Sequence, residues 1–96
     1  MRKGKYHYYK LDLLQYLVEN NFIIKIGEDF FEITQLASTL GIPMSSWYDI
    51  TRQLENSGQI LMRRKTRSFK GIIAYMVYEI QLTQEGLKFL TRFRHA

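Results

Sequence analysis

Cysteine is absent from the 96 residues, proline occurs once, at Pro43, and histidine only twice. Without cysteine there are no disulfides, no thiolate nucleophile and no zinc site of the cysteine type. His7 and His95 stand near opposite ends of the sequence, and neither has a second histidine at the i+4 spacing of helical metal motifs. A glycine-rich phosphate loop and a nucleophile elbow are both missing. Glu28, Asp29 and Glu32 form a small carboxylate group, but no second constellation completes an acid/base or metal site, and a solvated turn accounts for them. These absences predict a protein that is not an enzyme and takes no metal and no cofactor. No stretch approaches the roughly 18 to 20 apolar residues of a membrane span. The basic start, Met1-Arg2-Lys3-Gly4-Lys5, runs into Tyr6-His7-Tyr8-Tyr9-Lys10 where a signal peptide would carry its apolar region. No membrane association and a cytoplasmic location are the expectation.

What remains is apolar and basic. An apolar fraction of 46% with 24% charged residues places the chain among globular proteins rather than disordered ones. The length suits one domain over residues 1–96, with a basic and aromatic N-terminal arm at 1–8. So short a chain buries a modest core, which the six Phe, seven Tyr and one Trp enlarge. The net charge of +5 is unevenly spread. Arg63, Arg64, Lys65, Arg67 and Lys70 fall in one acid-free stretch; Arg2, Lys3, Lys5 and Lys10 form a second group, and Lys88, Arg92 and Arg94 a third. Such clustering points to a polyanionic partner.

The order of elements follows from periodicity and punctuation. Leu11, Leu14, Leu17 and Val18 recur at helical spacing, which predicts a helix from about Tyr9 to Asn20 stopped by Asn20-Asn21. Phe22 to Ile26 favours a strand, Gly27-Glu28-Asp29 a turn, and Phe30 to Ile33 a short strand pairing back. Thr34 then suits an N-cap for a helix over Gln35 to Leu40, which Gly41 ends. Pro43 and Ser45 open a third helix whose inner stripe is Trp47, Ile50, Thr51 and Leu54 and whose stop is Gly58. Ile60 to Thr66 and Ile72 to Leu82 read as strands around a tip at residues 67–71, and Thr83 caps a last helix.

The segment from Ile33 to Pro43, continued through Trp47, Ile50, Leu54, Glu55, Ser57-Gly58 and Ile60, resembles a helix-turn-helix. With Leu82-Thr83-Gln84-Glu85-Gly86 after the hairpin, the chain is similar to winged helix-turn-helix transcription regulators of the MarR and PadR kind, over about Leu11 to Leu90. The resemblance implies an α+β, mainly α fold with a two-stranded β-wing and a C-terminal helix. It implies binding to double-stranded DNA with the third helix in the major groove. Ser45 and Ser46 would then bond phosphate oxygens at that helix's N-terminus. Tyr48, Arg52 and Gln53 would read base edges, and Arg63, Arg64, Lys65, Arg67 and Lys70 would grip the flanking backbone or a minor groove. Two residues depart from the pattern. Asp49 places a carboxylate on the DNA face, where it can accept from a cytosine amino group or orient Arg52, and Trp47 is large for its position and is expected as a core anchor.

The resulting expectation is a sequence-specific duplex binder, a transcriptional regulator associated with the nucleoid. It would act as a homodimer joined through Tyr6, Tyr8 and Tyr9 and through Phe89, Leu90 and Phe93 of the last helix. The alternatives are a protein-interaction module with exposed aromatics as its contact surface, and an RNA or single-strand binder using Tyr and Phe stacking.

Overall fold

In α1 (Lys5–Glu19) apolar residues face more than one way: Tyr6 and Tyr9 pack against the core, and Leu11, Leu13, Leu14 and Leu17 are all buried. A helix apolar on several sides belongs in the middle of a domain, and α1 touches every other helix and two of the strands. The computed structural model describes residues 4–27, 30–69 and 71–94. Its elements continue with β1 (Ile23–Gly27), α2 (Phe30–Leu40), α3 (Met44–Asn56), β2 (Ile60–Phe69), β3 (Ile72–Leu82) and α4 (Gln84–Phe93). The chain is thus α+β, with four helices and a three-stranded antiparallel sheet among the described residues. None of those helices is long and apolar enough to cross a membrane.

Two expectations about the N-terminal half are corrected. Residues 5–8, expected as part of an arm, are the first turns of α1, because Tyr6 and Tyr9 continue the stripe of Leu13 and Leu17 backwards at helical spacing. Phe30 to Ile33, expected as a strand, opens α2, and Thr34 lies inside that helix instead of capping it. Ile33, Leu36, Ala37 and Leu40 form an i, i+3, i+4, i+7 stripe, and burying it against α1 and α3 outweighs the local β-preference of two Phe and an Ile.

Three helices end alike. The amide after the closing residue reaches back five positions: Phe22 to the Leu17 carbonyl at 2.7 Å, Ile42 to Ala37 at 2.8 Å, Gln59 to Leu54 at 2.9 Å. This closure needs a residue in the left-handed region one position earlier, supplied by Asn21, Gly41 and Gly58. Phe22 is also left-handed, at φ 74°, a conformation unfavourable for a bulky side chain. Its carbonyl accepts from the Leu82 amide at 2.8 Å, which directs the following residues into β1.

β1 pairs with β3 and not with residues 30–33, giving the sheet order β1-β3-β2. The β1 ladder runs from Ile23 opposite Gln81 to Gly27 opposite Val77, whereas β2 and β3 stay paired from Ile60–Leu82 out to Phe69–Ile72. Beyond Val77 the sheet is therefore a two-stranded ribbon, with a bulge between Arg67 and Ser68. The molecule accordingly measures 53 × 26 × 22 Å. Strand alternation sorts the side chains. Ile24, Ile80, Met62, Ile60 and Leu82 face the helices, while the row Ile23, Gln81, Leu61 faces outward and is exposed.

Candidate nucleic-acid interface

α3 buries Trp47, Ile50, Thr51 and Leu54 and leaves Ser45, Tyr48, Asp49, Arg52, Gln53 and Glu55 exposed. Trp47 is 2% exposed and serves as a core anchor, as expected. Thr51 is satisfied within the helix, its hydroxyl donating to the Trp47 and Tyr48 carbonyls, each at 3.1 Å. Ser46 is corrected. At 9% exposure it belongs to the packed side, and its amide is taken by the Pro43 carbonyl at 2.9 Å, so it presents nothing to a phosphate. It lies one residue before Trp47, within the arc that the broad tryptophan contact covers. Ser45 stays exposed beside it.

The outer flank of α3 divides into two rows. Tyr48, Thr51, Arg52 and Glu55 line a cleft of about 440 Å³ whose opposite wall is Met62 and Arg64 of β2 and Tyr78 of β3. Ser45, Asp49 and Gln53 lie on the adjoining row, at i, i+4 and i+8. Asp49 accepts from the Tyr6 hydroxyl at 3.5 Å and lies 3.9 Å from the Arg52 guanidinium. The second contact is exposed and of small energetic value.

The basic stretch of β2 is split by strand alternation. Arg64 pairs with Tyr78 on the face toward α3, and its Nη2 donates to the Tyr78 hydroxyl at 2.8 Å. The guanidinium carbon also lies 5.3 Å from the centre of that ring, within cation–π range. Arg63 is on the other face, in a row with Glu79 of β3 and Lys25 of β1. Glu79 is only 5% exposed although it sits on an otherwise solvated face. Directly opposed opposite charges in a sheet favour one another by roughly 0.2–1 kcal/mol. Lys65 and Arg67 are in β2 opposite Val77 and Tyr75, described as backbone only, and Lys70 lies outside the described residues.

The structure therefore brings Tyr48, Arg52 and Arg64 to one cleft, sets Ser45 and Gln53 beside it, buries Ser46, and sends Arg63 elsewhere. No family model, curated protein or solved structure matches the chain. Its function has to be argued from this geometry. Tyr78 was missed by sequence reasoning, yet counting by twos back from Leu82 through Ile80 places it on the helix-facing side. Counting forward from Ile60 through Met62 does the same for Arg64.

Two other features bear on partners. At the junction of α1 and α4, the His7 ring meets Tyr8, Phe89 and Phe93 edge-on, with centroids at 5.4, 5.8 and 4.5 Å. Tyr8 and Phe93 remain exposed. Midway along α1, Arg94 Nη2 meets Asp12 Oδ1 at 2.8 Å, half-buried, so one cation of the C-terminal group is neutralised internally. Among the described residues no three His, Asp or Glu side chains are grouped to hold a metal ion.

Proposed function

We propose that this chain is a winged helix-turn-helix protein that binds double-stranded DNA and regulates transcription as a homodimer. The observation that carries the reading is the shared cleft: an exposed polar flank of α3 with Tyr48 and Arg52 stands beside Arg64 at the root of a projecting ribbon. A helix flanked by a two-stranded ribbon suits a duplex, since the helix fills a major groove while the ribbon follows the adjoining backbone. Phosphate contacts fix position and base contacts give specificity. Arg64, Lys65, Arg67 and Lys70 are assigned the first task, Tyr48, Arg52 and Gln53 the second, with Ser45 at the helix N-terminus. Asp49 and Glu55 balance the two arginines of the cleft, so the surplus positive charge that attracts DNA comes from the outer ribbon and the terminal groups.

Two copies joined through the exposed aromatics of α1 and α4 would present their helices to half-sites about one helical turn apart. The test is selection of bound sequences from a random duplex pool, followed by titration across a salt series. Enrichment of a two-fold symmetric site, with Arg52→Ala relaxing preference at one base position, supports the reading. A preference for single strands over duplex, or no binding at low salt, refutes it. A protein-interaction role is the second reading, favoured by the exposed Phe22, Ile23 and Leu61 on the outer side of the sheet base. Under it, gel filtration would be unchanged by added duplex.

A further inference from the structure

We propose that Tyr78 is a positioning residue of the DNA interface: it fixes the Arg64 guanidinium over the cleft so that Arg64 grips the phosphate backbone beside the base-reading Arg52, while the adjacent Arg63 takes no part. The inference rests on the duplex-binding reading and deepens it. A β2 arginine on a solvated strand keeps most of its rotamer freedom, and ordering it on binding costs affinity. Tyr78 removes much of that freedom beforehand through two contacts, the 2.8 Å hydrogen bond to its hydroxyl and the ring lying 5.3 Å from the guanidinium. A guanidinium presents its donors in one plane, so whatever fixes the plane decides where a phosphate can sit. Here the plane borders the cleft lined by Tyr48 and Arg52.

Arg63 has the same charge and the neighbouring position but the opposite face, in the row of the buried Glu79 and of Lys25. The geometry thus separates two consecutive arginines, Arg64 toward the cleft and Arg63 onto the opposite face of the sheet.

The experiment measures affinity for a mixed-sequence duplex over a salt series with the full chain and four variants. Arg64→Ala should lower the slope of log affinity against log salt by about 0.9, the value of one phosphate contact. Arg63→Ala should leave the slope unchanged. Tyr78→Phe keeps the ring and the Arg64 charge, so it should weaken binding roughly two- to tenfold, the range of one hydrogen bond, at an unaltered slope. The double variant Arg64→Ala/Tyr78→Phe should bind no more weakly than Arg64→Ala alone, because Tyr78 acts through Arg64. Equal slope losses for Arg63→Ala and Arg64→Ala, or additive losses in the double variant, overturn the inference while leaving the duplex reading intact. A wild-type chain without salt-dependent duplex binding overturns the reading itself and this inference with it.

Discussion

Gly86 shows what a single side-chain position can decide. A Cβ there would overlap the Gln59 carbonyl oxygen and approach Leu82 Cδ1 at 2.6 Å, so the first turn of α4 can rest on the start of β2 only without one. Gly86→Ala should therefore destabilise the protein by about 1–3 kcal/mol, even though alanine is the better helix former. A thermal melt followed by circular dichroism would register this as a loss of about 4–8 °C per kcal/mol. Phe22 is the opposite case. Its left-handed backbone is pinned by hydrogen bonds on both sides, and a residue with a Cβ pays roughly 1–2 kcal/mol for that conformation. Phe22→Gly should raise the urea midpoint; a lower midpoint would mean that the half-exposed ring contributes more packing than the backbone loses. Trp47, the only tryptophan, reports on the core. Its emission should be blue-shifted and unmoved by added duplex, and Trp47→Ala should cost about 3–5 kcal/mol.

Among elements, α3 and the ribbon separate folding from recognition. At the base of the ribbon, Ile60, Met62, Tyr78, Ile80 and Leu82 join the core. Replacing residues 66–76 by a two-residue turn between Lys65 and Val77 should preserve cooperative unfolding near the original midpoint and remove most duplex affinity. Parallel loss of both would show the ribbon to be a folding element. The elements legible in the sequence were those marked by punctuation: the closures at Asn21, Gly41 and Gly58, the Thr83 cap accepting from the Gly86 amide at 3.1 Å, and the inner stripe of α3. Phe30 to Ile33 was misread because four residues cannot show a helical period, and only Leu36, Ala37 and Leu40 further along extend it. β1 is legible as a strand, but its partner lies 50–58 residues away, a separation that no local pattern encodes. At the site, residue types were legible and directions were not. Ser46 was assigned outward from its place near the helix start, and Arg63 and Arg64 were grouped by proximity although alternation separates them.

At the scale of the molecule, the proposed dimer rests on apolar surface that stays exposed in the single chain. Tyr8 and Phe93 stay exposed around the His7 ring, at the α1–α4 junction, while the cleft between α3 and the ribbon is formed by other elements. Sedimentation equilibrium should give twice the chain mass, and Tyr8→Glu with Phe93→Glu should halve it while leaving the monomer folded. A wild-type chain sedimenting at its own mass would remove the second half-site from the proposal. The sheet base carries one more consequence. β2 begins with three apolar residues, Ile60-Leu61-Met62, and continues with three cations, Arg63-Arg64-Lys65, so the cation beside Tyr78 does not by itself distinguish one alignment against β3 from the next. Slippage by a single residue would still offer Tyr78 a cation, but it would turn Gln59 or Arg63 toward the helices in place of Ile60 or Met62. Thr83 adds to that cost: its hydroxyl donates to the Gly58 carbonyl and its amide reaches Gln59, clamping the two strands at their common end. The threonine hydroxyl thus reinforces a frame that the buried aliphatic side chains already favour, and Thr83→Ala should loosen the common end of the two strands, seen as shifted amide resonances at the start of β2.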